Sequence, residues 1–431
     1  MGNDFLYYRG RGRGRGRSLS TAGPRWGFVG CSFTAEAYDG SANSQYYAYA
    51  KACMTYGGGV LGGPKIYATQ GYGIAEILST HVPTAVAAAS TLDGYVLDTG
   101  FYNNGSANAL HPLTTAQMQG YIETAIAALL ATGKPVIVLE PFPSGSAAGQ
   151  FSTAPVRAAF RTQLAYIKAL NGRQAGLRST QTIVDTMRNG ASDPDDCYYQ
   201  AIYTRDGVHG NAYGYGIAGK LLADKILSLY TGTANYYQPT GAENVLNSTF
   251  TGTAGTAGTG VTGTVPTSWE FLRVAGAATA TCTATGAGME FAITGNTVGG
   301  TPAAPTFDSQ IRLRFPSAAK RDLDASLAPG DTYMATYEVD SLSGYGYLGP
   351  NILFYNSAST LISAGVKLEA NPTTDTTDWR DFIYTVTGQP AGKARITAFW
   401  QVPADAAKFT LSVSVLGDVS GTIKLVSVKK V

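Results

Sequence analysis

Charge is scarce in this sequence. Only 14% of its 431 residues are Asp, Glu, Lys or Arg, against about 25% in an average soluble domain. A chain kept unfolded by self-repulsion needs far more charge and fewer aromatics than the 11% found here. Histidine is scarcer still, with three residues, and cysteine occurs four times. Cys31, Cys53, Cys197 and Cys282 form no CxxC pair and have no histidine close by in sequence, which argues against a zinc site. Their density is also too low for a disulfide scaffold, so most read as small buried residues. Long apolar runs are missing: the nearest, Thr84–Ser90 (TAVAAAS), falls well short of the roughly 18–20 residues of a membrane helix. No membrane span is expected. The glycines do not recur at every third position, which excludes a collagen-like fibre.

What is present is glycine, 53 residues of it, together with Ala, Thr and Tyr. The length suits two or three domains, each able to bury a core. The net charge of +2 is unevenly placed, because residues 1–25 hold six arginines against one aspartate. The rest of the chain is close to neutral, so its folded part is not expected to bind nucleic acid. Residues 1–25 lack the apolar stretch of a secretory signal, and arginines alternating with glycines cannot build a core. This segment is either a solvated arm or an arm that orders on docking to a larger assembly or to an anionic surface.

Residues 26–230 alternate short apolar runs with helical patterns. Strands are expected at Trp26–Gly30, Lys65–Thr69, Gly94–Asp98, Pro135–Glu140 and, weakly, Thr182–Val184. Helices are expected at Ser44–Tyr56, Ile74–Ser79, Thr114–Ala131, Ala154–Leu170 and Asn211–Tyr230. Such alternation predicts an α/β domain with a parallel sheet between helical layers, whose functional groups gather beyond the carboxyl ends of the strands. A polar connector, residues 231–243, precedes residues 244–431, where many short β-type runs with Thr/Gly-rich turns predict an antiparallel β-sandwich. Thr249–Thr264 is low in complexity and reads as a loop or an extended surface strand.

Any base-assisted acyl transfer near neutral pH must draw on His81, His111 or His209. His209 lies in a Gly-rich turn before the last helix of the α/β domain, and Asp206 precedes it by three residues, close enough on a tight turn to orient the imidazole. A lone Asp-x-x-His is also ordinary turn chemistry. Ser32 follows the first strand in Gly30-Cys31-Ser32, where a serine serves either as a nucleophile or as a helix N-cap. The surroundings are not Gly-x-Ser-x-Gly, so the α/β-hydrolase elbow is not supported.

Taken in order, Gly30-Cys31-Ser32 after the first strand, Gly71 after the second, an Asn cluster after the third and Asp206-Gly207-Val208-His209-Gly210-Asn211 before the last helix resemble the SGNH (GDSL-like) hydrolase family. The resemblance covers residues 26–230 and implies a flavodoxin-like three-layer fold and serine esterase activity with no metal or organic cofactor. It implies Ser32 as nucleophile, His209 as base and Asp206 as the carboxylate that orients it. The oxyanion donors would be the N–H groups of Ser32 and Gly71 and the side-chain amide of Asn103, with Asn104 the alternative. Three departures stand out. Cys31 replaces the family's usual Asp, Gln70 precedes Gly71 where an Asn is common, and the third block carries one residue more than Gly-x-Asn-Asp.

Residues 244–431 open on Asn244-Val245-Leu246-Asn247 and close on Thr422–Val428, which resembles jelly-roll carbohydrate-binding modules. Trp269, Tyr345, Tyr347, Trp379 and Trp400 are then candidate sugar-stacking rings, with core packing as the alternative for each. A basic arm, a hydrolase domain and a β-rich module together resemble bacteriophage tail-fibre or tailspike deacetylases. That architecture implies a virion or extracellular location, a polysaccharide or glycan partner, and a homo-oligomer such as a trimer. The activity expected is removal of O-acetyl or other O-acyl groups from a surface polysaccharide. A non-catalytic glycan-binding fibre and a lipid or thioester hydrolase with a passenger β-domain are the alternatives.

Overall fold

The five strands of the first half form one parallel sheet: β1 (Trp26–Gly30), β2 (Lys65–Ala68), β3 (Gly94–Leu97), β4 (Val136–Val138) and β5 (Leu177–Ser179). In this computed structural model the described residues are 17–18, 24–35, 49–57, 61, 64–144, 151–188, 198, 208–210, 212–231, 243, 245, 247–296, 298–301, 304–307, 309–315, 321–322, 328–364, 384–385 and 392–430. The described residues divide into two compact units: one holds those within 15–54 and 60–235, the other those within 236–431 together with 55–57.

The strand order is 2-1-3-4-5, every neighbouring pair parallel. Strands β1, β3 and β4 are buried along their whole length, as strands covered on both faces must be. The chain steps from β1 outward to β2, then back across β1 to β3. Right-handed crossovers then place the helix α2 (Tyr49–Tyr56) on one face and the helices after β2, β3 and β4 on the other. The direction of winding reverses between β1 and β3, and open α/β sheets carry their sites at that reversal.

A short helix, α1 (Ser32–Ala35), follows β1. After β2 come α3 (Ile74–Glu76), a π-helical turn at Ile77–His81, and α4 (Val82–Ala87). The remaining helices are α5 (Phe101–Gly105), α6 (Thr115–Leu130), α7 (Ala154–Ala169), α8 (Ile183–Met187) and α9 (Ala212–Leu227). The start of α6 is fixed by a capping box: Thr114 Oγ1 accepts the Gln117 N–H and Gln117 Oε1 accepts the Thr114 N–H, at 3.3 and 2.9 Å. Helix α9 lies against α2 at Gly219, where a Cβ would come within 2.4 Å of Ala52 Cβ.

One expected element is corrected. The fifth strand is Leu177–Ser179 rather than Thr182–Val184, and Ile183–Met187 is helical. The β-branched pair Ile183-Val184 is buried on a helical turn whose first N–H, that of Ile183, is held at 2.8 Å by the Glu140 carboxylate. Tertiary context thus overrides local propensity.

The second unit is built of strands. Its described elements include β6 (Thr256–Ala257), β7 (Val261–Gly263), β8 (Glu270–Ala275), β9 (Thr279–Ala284), β10 (Met289–Thr294), β11 (Gln310–Phe315), β12 (Thr332–Tyr355), β13 (Gly392–Gln401) and β14 (Lys408–Lys430). Strand β14 pairs antiparallel with β10, β11 and β12, and β12 pairs with β13. Twelve strands share one hydrogen-bonded network, where the sequence suggested the two sheets of a sandwich. Strands β12 and β14 run on for 24 and 23 residues, where the sequence suggests short runs parted by turns. Glycines keep these long strands continuous through their bends: Gly344 and Gly417 have φ of +114° and +94°, and a Cβ on Gly344 would meet the Asp418 carbonyl oxygen at 2.1 Å. Thr249–Thr264 contributes the short surface strands β6 and β7.

Candidate active site

Strands β2, β1 and β3 are neighbours in the sheet, so the turns that leave their carboxyl ends lie side by side. The middle turn carries Ser32, the first residue of α1. The turn after β2 carries Gly71 in a left-handed conformation, φ +79°, which a residue with a side chain rarely adopts. The turn after β3 carries Asn103 and Asn104 on α5.

His209 reaches this rim from the segment before α9. Its Nε2 is 3.2 Å from Ser32 Oγ, across 177 residues of sequence. The imidazole leans on the Phe33 ring at 5.1 Å. Phe33 is itself stacked on Phe142 at 5.1 Å and 11°, and sits 5.1 Å from the Tyr102 ring. Tyr215 of α9 meets Phe142 edge-on at 5.7 Å, and a Cβ on Gly210 would crowd the Tyr215 ring at 3.0 Å. An aromatic floor therefore fixes the imidazole from below, while Ser32 and His209 remain partly exposed. A hydroxyl in hydrogen-bond reach of an imidazole can be deprotonated as it attacks an electrophile. Asp206 lies outside the described residues.

The N–H groups of Ser32 and Gly71 meet no acceptor among the described residues. The two asparagines differ sharply. Asn104 is buried and has both ends of its amide engaged, accepting the Ile74 N–H and donating to the His111 carbonyl, each at 2.7 Å. Asn103 is only half-buried, and its Nδ2 donates to the Tyr72 carbonyl at 2.8 Å.

The other histidines serve elsewhere. His81 Nε2 is 3.0 Å from Thr69 Oγ1, its ring 5.3 Å from Tyr72, and burial pushes its pKa below the usual imidazole value. His111 Nδ1 is 3.3 Å from Glu76 Oε1. Among the described residues no group of three or more His, Cys, Asp or Glu side chains is placed to hold a metal, and no helix is long and apolar enough to cross a membrane.

In the second unit, Trp269 is 0% exposed, donates its Nε1–H to the Asn247 carbonyl at 3.2 Å, and packs on Phe250 and Phe315 at 4.9 and 5.3 Å. It is a core residue, which corrects its candidacy as a sugar platform. Tyr345 and Tyr347 lie on β12 and Trp400 on β13. Trp379 lies outside the described residues.

Nothing in the sequence singles out Asp98. It is 5% exposed at the end of β3, directly beneath the Ser32 turn. Its only signal was a charged residue closing an apolar strand, which ordinarily reads as a solvated turn residue. The aromatic floor was equally invisible, since Phe33, Tyr102 and Phe142 come from three separate turns.

No family model matches the chain, and no curated protein matches it. Solved structures similar to it are GDSL-like lipases and acylhydrolases, a carbohydrate esterase and a tailspike domain. A GDSL-like lipase from Bacteroides thetaiotaomicron is 17% identical, with 48% of this chain and 88% of that one covered and a TM-score of 0.36. A carbohydrate esterase family 3 protein from Talaromyces cellulolyticus is 13% identical over 48% of this chain and 97% of that one, with a TM-score of 0.34. The enzymatically active domain of tailspike protein 4 of bacteriophage CBA120 is 12% identical over 38% of this chain and 20% of that one, with a TM-score of 0.24.

Proposed function

We propose that this chain is a serine esterase that removes O-acetyl or related short O-acyl groups from a surface polysaccharide, as part of a phage tail fibre or tailspike. The observation that carries the reading is the 3.2 Å approach of His209 Nε2 to Ser32 Oγ at the winding reversal of a parallel sheet. In the reaction Ser32 Oγ attacks the acyl carbonyl carbon while His209 Nε2 takes the hydroxyl proton. The carbonyl oxygen becomes an oxyanion, and the N–H groups of Ser32 and Gly71 with the Asn103 amide are the donors assigned to it. Each such donor contributes on the order of 3–4 kcal/mol to the transition state. Collapse of the tetrahedral intermediate breaks the ester bond, and the departing sugar oxygen takes the proton from the imidazolium. A water molecule, deprotonated by the same imidazole, then releases the acyl group as acetate and regenerates Ser32. Asp206 is assigned the carboxylate that orients His209, by its place three residues before it.

The polysaccharide substrate is inferred from domain arrangement. A separate β-rich unit follows the α/β unit, and a polymer needs a grip that a small ester does not. The basic arm is assigned to docking on the particle.

The test is acetate release from O-acetylated capsular or lipopolysaccharide glycans, run beside p-nitrophenyl esters of increasing acyl length. Wild-type protein is expected to release acetate and to favour the acetyl ester, and Ser32→Ala to release none above background. Equal rates for the two proteins would leave a glycan-binding fibre without catalysis. A preference for long acyl chains would point to lipid or thioester substrates instead.

A further inference from the structure

Beneath Ser32 sits a carboxylate to which the proposed reaction gives no task. Asp98 Oδ2 accepts the Cys31 N–H at 3.4 Å, the Cys31 thiol at 3.2 Å and the Thr34 hydroxyl at 3.2 Å. Its other oxygen, Oδ1, accepts the Gly100 N–H at 3.0 Å. Thr34 Oγ1 is also 2.9 Å from the Tyr49 hydroxyl. With the Thr34 proton committed to Asp98, Tyr49 donates to Thr34, which ties α2 into the same group.

The backbone is shaped around this side chain. A Cβ on Gly30 would come within 2.7 Å of Asp98 Cβ, 2.9 Å of its Oδ2 and 2.4 Å of Thr34 Oγ1. Strand β1 passes the carboxylate only because residue 30 has no side chain. Burial pushes the Asp98 pKa up, and the donors from Gly100, Cys31 and Thr34 pull it back. A buried carboxylate is retained when its acceptor sites are filled in this way.

Its two oxygens serve different segments. Oδ2 holds Cys31 and Thr34, which flank Ser32 on either side. Oδ1 holds Gly100, the N-cap of α5, whose carbonyl in turn accepts the Asn103 N–H at 3.0 Å. We propose that Asp98 is a positioning residue that sets the separation between Ser32 and Asn103, one oxygen fixing the turn of each. The proposal rests on the reading of Ser32 as nucleophile and Asn103 as oxyanion donor. An amide in its place keeps the shape but turns an NH2 group toward donors, so one of the two turns is released. Displacement of a reacting group by about 1 Å costs up to about 100-fold in rate.

The experiment compares wild type, Ser32→Ala, Asp98→Asn, Thr34→Val and the double variant Asp98→Asn with Cys31→Asp. Turnover of p-nitrophenyl acetate is expressed per active site titrated with a fluorophosphonate. Asp98→Asn is expected to lower kcat by about 10- to 100-fold with KM changed less than about three-fold, and to slow fluorophosphonate labelling in parallel. Because the Cys31 thiol already touches Oδ2, a carboxylate at position 31 can accept from Thr34 and from an amide at position 98. The double variant is therefore expected to recover at least about ten-fold of the loss, a rescue that misfolding would not produce. Thr34→Val, which leaves the carboxylate in place and removes one donor, keeps the question open to measurement if Asp98→Asn does not fold. A several-fold lower kcat is expected of it. Wild-type kcat per titrated site in Asp98→Asn, or in Thr34→Val where the former does not fold, overturns the positioning role, as does a double variant no faster than Asp98→Asn. If instead Ser32→Ala matches wild type and no site is labelled in either, the esterase reading itself fails and this role fails with it.

Discussion

At the scale of single residues, the site depends on proton traffic between one hydroxyl and one ring. His209→Gln is expected to lower kcat on p-nitrophenyl acetate by about 10⁴- to 10⁶-fold with little change in KM, because the base acts in the transition state and not in binding. Steady-state kinetics on the folded variant checks this. His81 offers a different measurement. Its ring is partly buried against Tyr72, and burial lowers its folded-state pKa beneath the unfolded value. The unfolded chain then binds more protons than the folded one between those two pKa values. The stabilisation from neutral His81 is complete above the unfolded value of about 6.5 and is lost as pH falls through the folded value. The melting temperature of wild type should thus fall more between pH 7.5 and pH 5.5 than that of His81→Gln, which can keep the bond to Thr69. Equal slopes would remove His81 as the cause.

At the scale of elements, close approach decides which substitutions the turns tolerate. Gly73, before α3, lies under the Asn104 amide, and a Cβ there would sit 2.2 Å from Asn104 Nδ2. That amide ties the start of α3 to the His111 carbonyl. Gly73→Ala is expected to cost about 1–3 kcal/mol by overpacking and to lower kcat, since it disturbs the neighbouring Gly71 turn. Gly120 is the control. It lies inside α6, exposed, and a methyl group added there would have nothing within 4 Å, so Gly120→Ala should raise stability by about 0.5–1 kcal/mol with kcat unchanged. Urea denaturation of both variants, with kinetics alongside, checks the pair.

At the scale of the whole molecule, the two compact units are expected to respond separately. Trp269 is enclosed by Phe250 and Phe315. Trp269→Ala is expected to destabilise the β-rich unit by about 3–5 kcal/mol while kcat on a small acetyl ester stays as in wild type. Calorimetry should show one transition moved and one kept. A fall in kcat equal to the fall in stability would mean that the units unfold as one.

Much of this architecture is legible in the sequence. Strands are expected at Trp26–Gly30, Gly94–Asp98 and Pro135–Glu140, and the strands found there are buried along their whole length, because a strand between two helical layers has no wet side. Regular alternation with helices announces the parallel sheet, and a serine just after its first strand and a histidine just before its last helix announce a candidate pair. The strand run at Thr182–Val184 misleads, because β-branched residues favour a strand locally while the Glu140 carboxylate holds a helix start there. In the second half, the bends at Gly344 and Gly417 let two long strands run on where turns are expected. Four of the five strands of the parallel sheet, its longer helices and the chemical groups the chain carries can be read from periodicity and residue type, which are local properties. Only the tertiary structure decided that Asp98 lies under Ser32, that Asn104 is buried with both ends of its amide engaged while Asn103 stays half-exposed, and that Trp269 is enclosed. Burial and approach depend on segments far apart in the chain, and no local pattern records them.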